Sequence, residues 1–394
     1  MAPDGYALPV NSTPSARPTP PRSRGWKIGR VAGAPVIVTP SWFLAAAVLT
    51  VVFTPWVQGL MPDLGTSAYL VAASFVIMLF ASVFLHEVAH ALVARARGQE
   101  VHELAITLWG GHTAYSGGMS RPVDGFLVAV VGPLTNIALA TVFWLAFLAR
   151  ADNGLDVPDV LLIGGALSNA FVGVFNLLPG LPLDGGQILE AVVWAVSGSR
   201  ATGTIAAGWV GRVIAVGVLL WGLLPLLRGT FPQTELIFYL LVAGFLWFGA
   251  TSAIAGGRRR EAISSLRAGS LADPVVTVPL GSTVAAALAA RPAARPGEVS
   301  RRIVVVGYDD VPLAVLDDDA ASSVPPEARE HTGVDAVSVP LVPKSAVGPD
   351  VSGQDLLRHL ATSSGGARLV PVVEAGRVTG VLDLARVAMA VRRS

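Results

Sequence analysis

Six apolar runs constrain this chain more than any other feature. They lie near Ser41–Trp56, Ala68–Arg95, Gly125–Ala149, Val160–Leu178, Ile205–Leu227 and Leu236–Ile254. Most approach the roughly 20 residues that a helix needs to cross the hydrocarbon core of a bilayer. Inside that core only a segment that pairs its own backbone groups is tolerated. The charge content agrees, with 14% of the 394 residues charged against about 25% in soluble domains. The expected fold is therefore a polytopic α-helical membrane protein of six transmembrane helices with a soluble C-terminal α/β tail. A seventh apolar helix, Gln187–Val196, is too short to span and reads as re-entrant or interfacial.

The basic residues set an orientation. Arg17, Arg22, Arg24, Lys27 and Arg30 precede the first span, Arg95, Arg97 and Arg121 follow the second, and Arg258, Arg259 and Arg260 follow the sixth. Arg200 follows the short helix, and Arg212 sits in the first turns of the fifth span. The alternate loops hold only Arg150 and Arg228. Both termini are thus expected in the cytosol. The first 25 residues are rich in Pro, Ser and Arg and are expected to be disordered. No cleavable signal peptide is read after the initiator. The Ala, Gly, Val and Arg bias suggests a GC-rich, bacterial genome. No basic patch invites nucleic acid. The chain has no cysteine, which leaves His, Asp and Glu for any metal.

Within this frame the stretch FLHEVAHALVARARG, residues 84–98, stands out. His86 and His90 are four apart and share one helix face, with Glu87 beside them, which is the arrangement of two zinc ligands and a general base. The bland alternative is a pair of interfacial histidines, but a glutamate and two histidines inside a span are costly and usually face a functional cavity. His90 lies five residues before Arg95, about 7.5 Å along a helix, so the cluster is expected inside the membrane towards the cytosolic end. A catalytic zinc commonly takes a third protein ligand. Asp184, in NLLPGLPLDGGQILE (Asn176–Glu190), is the candidate. It reads equally as a helix start, since Asp184 and Gln187 resemble a capping box. Glu190 can pair near the interface. The segment Gly98–Arg121, rich in Gly, Thr and β-branched residues, reads as a hairpin dipping into the protein, either a strand edge for a peptide or a connector. His102 and His112 in it, and His331 and His359 in the tail, are given surface roles.

The tail carries an internal repeat. RIVVVGYDDVPLAVLD (Arg302–Asp317) aligns on RLVPVVEAGRVTGVLD (Arg368–Asp383) with about six of sixteen positions identical, and a helix-like stretch precedes each copy. Two helix–strand–strand–helix units packed as a pseudo-symmetric pair are expected.

HEVAH in one span, GPLTN (Gly132–Asn136) in the next and NLLPGLPLDGG before a broken helix occur in the order found in the site-2 protease family of intramembrane zinc metalloproteases, which the chain resembles from about Phe84 to Gln187. The tail resembles a pair of CBS domains, as in a bacterial subgroup of six-span proteases. The resemblance implies one Zn2+ held by His86, His90 and Asp184, with Glu87 as the catalytic base. It implies that Asn136 and Asn176 organise the cleft or hold substrate backbone, the alternative being interhelical hydrogen bonding. It implies three regions: a disordered arm at 1–30, a transmembrane protease domain at 31–256 and a cytosolic CBS-like pair at 257–394. The expected partners are a single-span or membrane-anchored protein substrate, the lipid bilayer, and a second copy through the CBS pair. The expected place is the bacterial cell membrane. CBS pairs often bind adenine nucleotides, but Asp383 and Arg386 in the second copy and Ala320 in the first depart from the ribose-binding pattern. The competing functions are a CBS-regulated divalent-metal transporter and an inactive membrane scaffold. The apolar character of most other spans argues against the first, and the intact HEVAH against the second.

Overall fold

The computed structural model describes residues 24–393 apart from 108–109, 117–118, 120, 151–154, 228, 230–232, 294–298 and 343–344. Arg17, Arg22, Arg228, Lys344 and the side chain of His112 lie outside the described residues. The chain forms two compact units, Met1–Ala253 and Ile254–Ser394.

The first unit opens with β1 (Trp26–Val31) and β2 (Ala34–Val38). This corrects the expectation that the disordered arm runs to residue 30. The physical reason is local: Ala32 and Gly33 both adopt positive φ, 52° and 81°, the two-residue turn whose twist suits a hairpin. Then come α1 (Pro40–Leu60), α2 (Ala68–Ala96), β3 (Glu100–Thr107), β4 (Gly110–Ser116), α3 (Pro122–Leu148), α4 (Val157–Asn176), α5 (Asp184–Ser197), α6 (Arg200–Leu227) and α7 (Gln233–Ser265), whose last turns enter the second unit. Among the described residues, six helices are long and apolar enough to cross a membrane: Pro40–Leu60, Pro62–Ala96, Pro122–Leu148, Val157–Asn176, Arg200–Leu226 and Glu235–Ser265. Their outer faces carry large apolar side chains that water would not tolerate in such number; Leu70 and Phe248 are each 73% exposed. Arg212, the charge within α6, lies between the rings of Trp209 and Trp247, 4.8 and 4.9 Å from their centroids, and donates to Thr251 Oγ1 at 3.1 Å. Cation–π contact replaces part of its lost hydration.

The four strands form one sheet in the order β1-β2-β3-β4. β2 runs parallel to β3, and β3 and β4 form the expected hairpin, with Ala105 opposite His112. Thr39, ahead of α1, bonds Ile106 through both its backbone N–H and its hydroxyl, so the sheet is tied to the entry of the first span. At the other end of the unit, Asp156 and Asp159 form a reciprocal capping box at the start of α4.

In the second unit, α8 (Ala268–Leu271), β5 (Asp273–Pro279), α9 (Val284–Ala290), β6 (Arg302–Val306), β7 (Pro312–Leu316), α10 (Asp318–Ser322), β8 (Ser338–Pro340), α11 (Gly353–Ser363), β9 (Leu369–Glu374), β10 (Arg377–Asp383) and α12 (Leu384–Arg393) build a six-stranded sheet. Its order is β8-β7-β6-β5-β10-β9. Each sequence repeat is a helix–strand–strand–helix unit, as its alternation of apolar runs requires. Val304, Val306 and Val315 of one copy share a core cluster with Leu369, Val378 and Val381 of the other.

Candidate metal centre

α2 and α3 run past each other so that one ridge of α3 faces the histidine face of α2. Asp124, Val128, Gly132 and Asn136 recur every four residues along α3, the spacing of one helix face. Arg97, at the end of α2, is paired with Asp124 (Nε to Oδ1 2.6 Å). His90 Nδ1 lies 2.6 Å from the carbonyl of Val128. His86 Nδ1 lies 2.5 Å from Asn136 Oδ1. Gly132, between these clasps, permits the approach: a Cβ there would stand 2.6 Å from His86 Nε2 and closer still to His90 Nε2.

Asp184 arrives from a different part of the chain. After Asn176 the fourth span stops at a segment containing Pro179 and Pro182, and α5 starts at Asp184 itself. The capping box that the sequence offered as an alternative for Asp184 is not formed. The N-cap is Leu183, it makes no side-chain cap bond, and Gln187 Nε2 stands 3.5 Å from Asp184 Oδ1. The Asp184 carboxylate turns instead to the histidines. Oδ2 is 3.0 Å from His86 Nε2 and 3.3 Å from His90 Nε2, and the two Nε2 atoms are 2.9 Å apart.

These contacts test whether the residues suit a metal. The Val128 carbonyl can only accept, so Nδ1 of His90 carries the proton and Nε2 of the neutral ring presents a lone pair. The same holds for His86 against Asn136 Oδ1. With both rings neutral, two lone pairs and a carboxylate oxygen face one another, an arrangement that a cation relieves. Their separations are close to the ~3.3 Å subtended by two ligands about 2.0–2.1 Å from a tetrahedral zinc. His86, His90 and Asp184 form the group of potential ligand atoms within 4.8 Å of one another among the described residues, and all three side chains are largely buried. Histidine and carboxylate donors with second partners on Nδ1 are what such an ion requires.

The three residues line a cavity of about 440 Å³ together with Glu87, Thr113 and Asn176. Thr113, on β4, donates to Glu87 Oε2 at 2.9 Å, and Gly111 packs its backbone against the same side chain. Asn136 is fully buried and donates through Nδ2 to Asn169 Oδ1 at 2.8 Å. Asn176 makes no side-chain hydrogen bond of its own among the described residues. Glu190 lies outside this cavity and pairs with Arg200, Nε to Oε1 at 2.7 Å. His359 contacts the carbonyl of Ser345 in the second unit. Sequence reasoning missed Thr113 and Asn169. For Asn169 a signal existed, since an asparagine within an apolar span seeks a partner.

Helices that span a membrane, enclosing two histidines, a glutamate and an aspartate around one cavity, define a membrane-embedded metallohydrolase. The chain matches the family described as Peptidase family M50 over residues 74–155 and 151–220. It is 30% identical over 386 residues to the Synechocystis protein sll0528, covering 92% of this chain and 94% of that one. It is 29% identical over 384 residues to Rip3 of Mycobacterium tuberculosis, covering 91% of each. Both relatives are named as zinc metalloproteases. The chain belongs to the M50, or site-2 protease, family, and is a multi-pass membrane zinc metalloprotease. A solved site-2 protease from Methanocaldococcus jannaschii aligns with a TM-score of 0.41 at 24% identity, covering 58% of this chain and 94% of that chain.

Proposed function

We propose that the protein cuts other membrane proteins within or near their transmembrane segments. The observation that carries this reading is the convergence of His86, His90 and Asp184 beside Glu87 in a cavity enclosed by apolar helices. His86 Nε2, His90 Nε2 and Asp184 Oδ2 would hold the Zn2+. The ion supplies Lewis acidity towards water and the scissile carbonyl.

Glu87 is the general base. Its Oε2 accepts the Thr113 hydroxyl, which fixes the carboxylate plane and leaves Oε1 to take a proton from water. The same oxygen then delivers the proton to the leaving amine. A substrate helix hides its scissile carbonyl in its own hydrogen bonds, so it must unwind before attack, and the freed backbone groups need partners at membrane depth. β4 ends the sheet, and its outer edge can pair with the unwound segment. Asn176, lining the same cavity, offers a donor and an acceptor to that backbone.

The substrates are single-span or membrane-anchored proteins. The basic residues favour cytosolic termini in a bacterial cell membrane. Residues 31–256 form the protease domain in this reading. Residues 257–394 are a CBS-like pair, which the paired repeat units and their shared core support; the pair serves as a regulatory or dimerising module.

The test compares membrane-protein fragments from cells carrying the wild-type enzyme and Glu87→Gln. Fragments cut inside spans should vanish in the variant while its zinc content stays at the wild-type level. Identical fragment profiles from two equally expressed, zinc-loaded proteins would overturn the reading.

A further inference from the structure

We infer that Asn169, which lies outside the catalytic cavity and touches none of its ligand atoms, is a positioning residue that fixes the tautomer of His86. The inference rests on the reading of His86 as a metal ligand and adds a residue to it.

The asparagines are joined by a chain of forced hydrogen-bond directions. It starts at the carbonyl of Gly165 in α4, which can only accept. Asn169 Nδ2 lies 2.9 Å from it, so the amide nitrogen must face that carbonyl, and a flipped amide would set two oxygens against each other. The same nitrogen donates to Ser82 Oγ on α2 at 3.1 Å, and the Ser82 hydroxyl is spent on the Met78 carbonyl at 3.1 Å. Asn169 Oδ1 is therefore held towards Asn136, 2.8 Å from its Nδ2. That contact fixes the second amide in turn: with Nδ2 on Asn169, Oδ1 of Asn136 faces His86 Nδ1 at 2.5 Å. An amide oxygen only accepts, so Nδ1 carries a proton, and in the neutral ring Nε2 is the nitrogen left to present a lone pair beside Asp184 Oδ2.

Burial gives the chain its force. Asn136, Asn169 and Ser82 are 0, 1 and 3% exposed, so water cannot substitute for a missing partner, and a reversed amide would leave buried groups unsatisfied. The relay crosses α2, α3 and α4, tying the orientation of one imidazole to the packing of three spans. Ser82 is the lesser member, because the Gly165 carbonyl alone fixes the Asn169 amide.

The inference is tested on the purified full-length protein in detergent by zinc titration against a competing chelator, alongside ¹⁵N NMR of histidine-labelled, metal-free protein. His86 signals are identified by their loss in His86→Ala. Asn136→Leu removes the direct partner and should weaken zinc about 10–100-fold. Asn169→Leu should weaken it about tenfold, at the low end of that range, and should convert the His86 spectrum from one Nδ1–H tautomer to a mixture. Ser82→Ala should change zinc affinity less than about twofold, because only a redundant hydrogen bond is lost. Wild-type zinc affinity and an unchanged His86 tautomer in a folded Asn169→Leu protein would overturn the inference. So would equal losses in Ser82→Ala and Asn169→Leu, which would make the effect one of packing. If Asn169→Leu does not fold, the wild-type spectrum decides, since a neutral His86 whose single proton sits on Nε2 contradicts the chain of directions. A wild-type protein that binds no zinc would defeat the metal reading, and the tautomer measurement would still decide the role of Asn169.

Discussion

Gly132→Ala adds one methyl group at the point where α3 passes nearest to the histidine pair. An ideal Cβ at this position would lie 2.6 Å from both His86 Nε2 and His90 Cε1 and nearer than that to His90 Nε2. A carbon and a nitrogen rest at about 3.5 Å, so relief demands a displacement of about 1 Å in the imidazoles or the helix. The imidazoles have little freedom to give. Each is held on its Nδ1 side, by Asn136 and by the Val128 carbonyl, and each must keep Nε2 near Asp184. A misplacement of about 1 Å at a reacting centre costs on the order of 100-fold in rate, and a distorted ligand set should also lose metal. Helix stability moves the other way, since alanine is favoured over glycine in a helix interior by about 1 kcal/mol. The expected result is a protein that stays folded, with thermal stability within about 2 kcal/mol of wild type after strain is included. Its zinc content should fall well below the about one ion per chain of a single catalytic site. Zinc by plasma mass spectrometry, scanning calorimetry and fragment analysis on the same preparation measure the three effects. Stoichiometric zinc with wild-type cleavage in Gly132→Ala would refute the reasoning, because it would mean that the ion does not lie where the two Nε2 atoms face α3.

Chelation of the wild-type protein should lower the melting temperature of the membrane unit and added zinc should restore it, whereas His90→Ala should show neither response; calorimetry with and without chelator reads this directly. Arg97→Ala strands the Asp124 carboxylate, 8% exposed, beside the His90 clasp; a loss of about 1–3 kcal/mol is expected for a buried group left unpaired, and Arg97→Lys should recover part of it in the same melting assay. In the second unit, burial pushes the Asp383 carboxyl up, but the Ala385 N–H and the guanidiniums of Arg368 and Arg302 outweigh it and hold the group below the usual carboxylate range. The unfolded chain then binds the proton more readily than the folded one, so the stabilisation is full above about pH 4 and fades as pH falls through the lower folded value. Hydrogen exchange in β10, corrected for intrinsic rates, should show protection falling across that window in the wild type and a flatter pH response in Asp383→Asn; equal slopes would contradict the assignment.

What the sequence reveals and what it hides divide along the range of the interactions. His86, Glu87 and His90 are legible because a spacing of four on a helix already sets two side chains on one face, and an apolar run makes that face expensive unless it is used. The six spans and the paired repeat are legible for the same reason, each being a period within one segment. Asp184 is visible only as an acid after a helix break, and two local roles compete for it; the carboxylate turns away from the backbone because two imidazoles 98 and 94 residues earlier stand 3.0 and 3.3 Å from it. Thr113 and Val128 carry no local pattern, and Asn169 shows only as a polar residue in an apolar run with no partner named by the sequence. Thr113 reaches Glu87 across a hairpin, Val128 contributes a carbonyl that any residue could supply, and Asn169 acts through a second asparagine 33 residues away. Strand β1 was hidden for a different reason: Arg24, Lys27 and Arg30 give Trp26–Val31 the composition of a charged arm, while its pairing comes from the turn at Ala32 and Gly33 and from the partner β2. A polar residue in an apolar span nevertheless has to be satisfied by something, and the interior of this protein offers few partners. Asn136 and Asn169 satisfy each other and, in doing so, leave one acceptor for His86 and one donor direction for the whole chain. Burial, which makes an asparagine costly in a membrane, is therefore also what makes its hydrogen bonds directional enough to orient an imidazole.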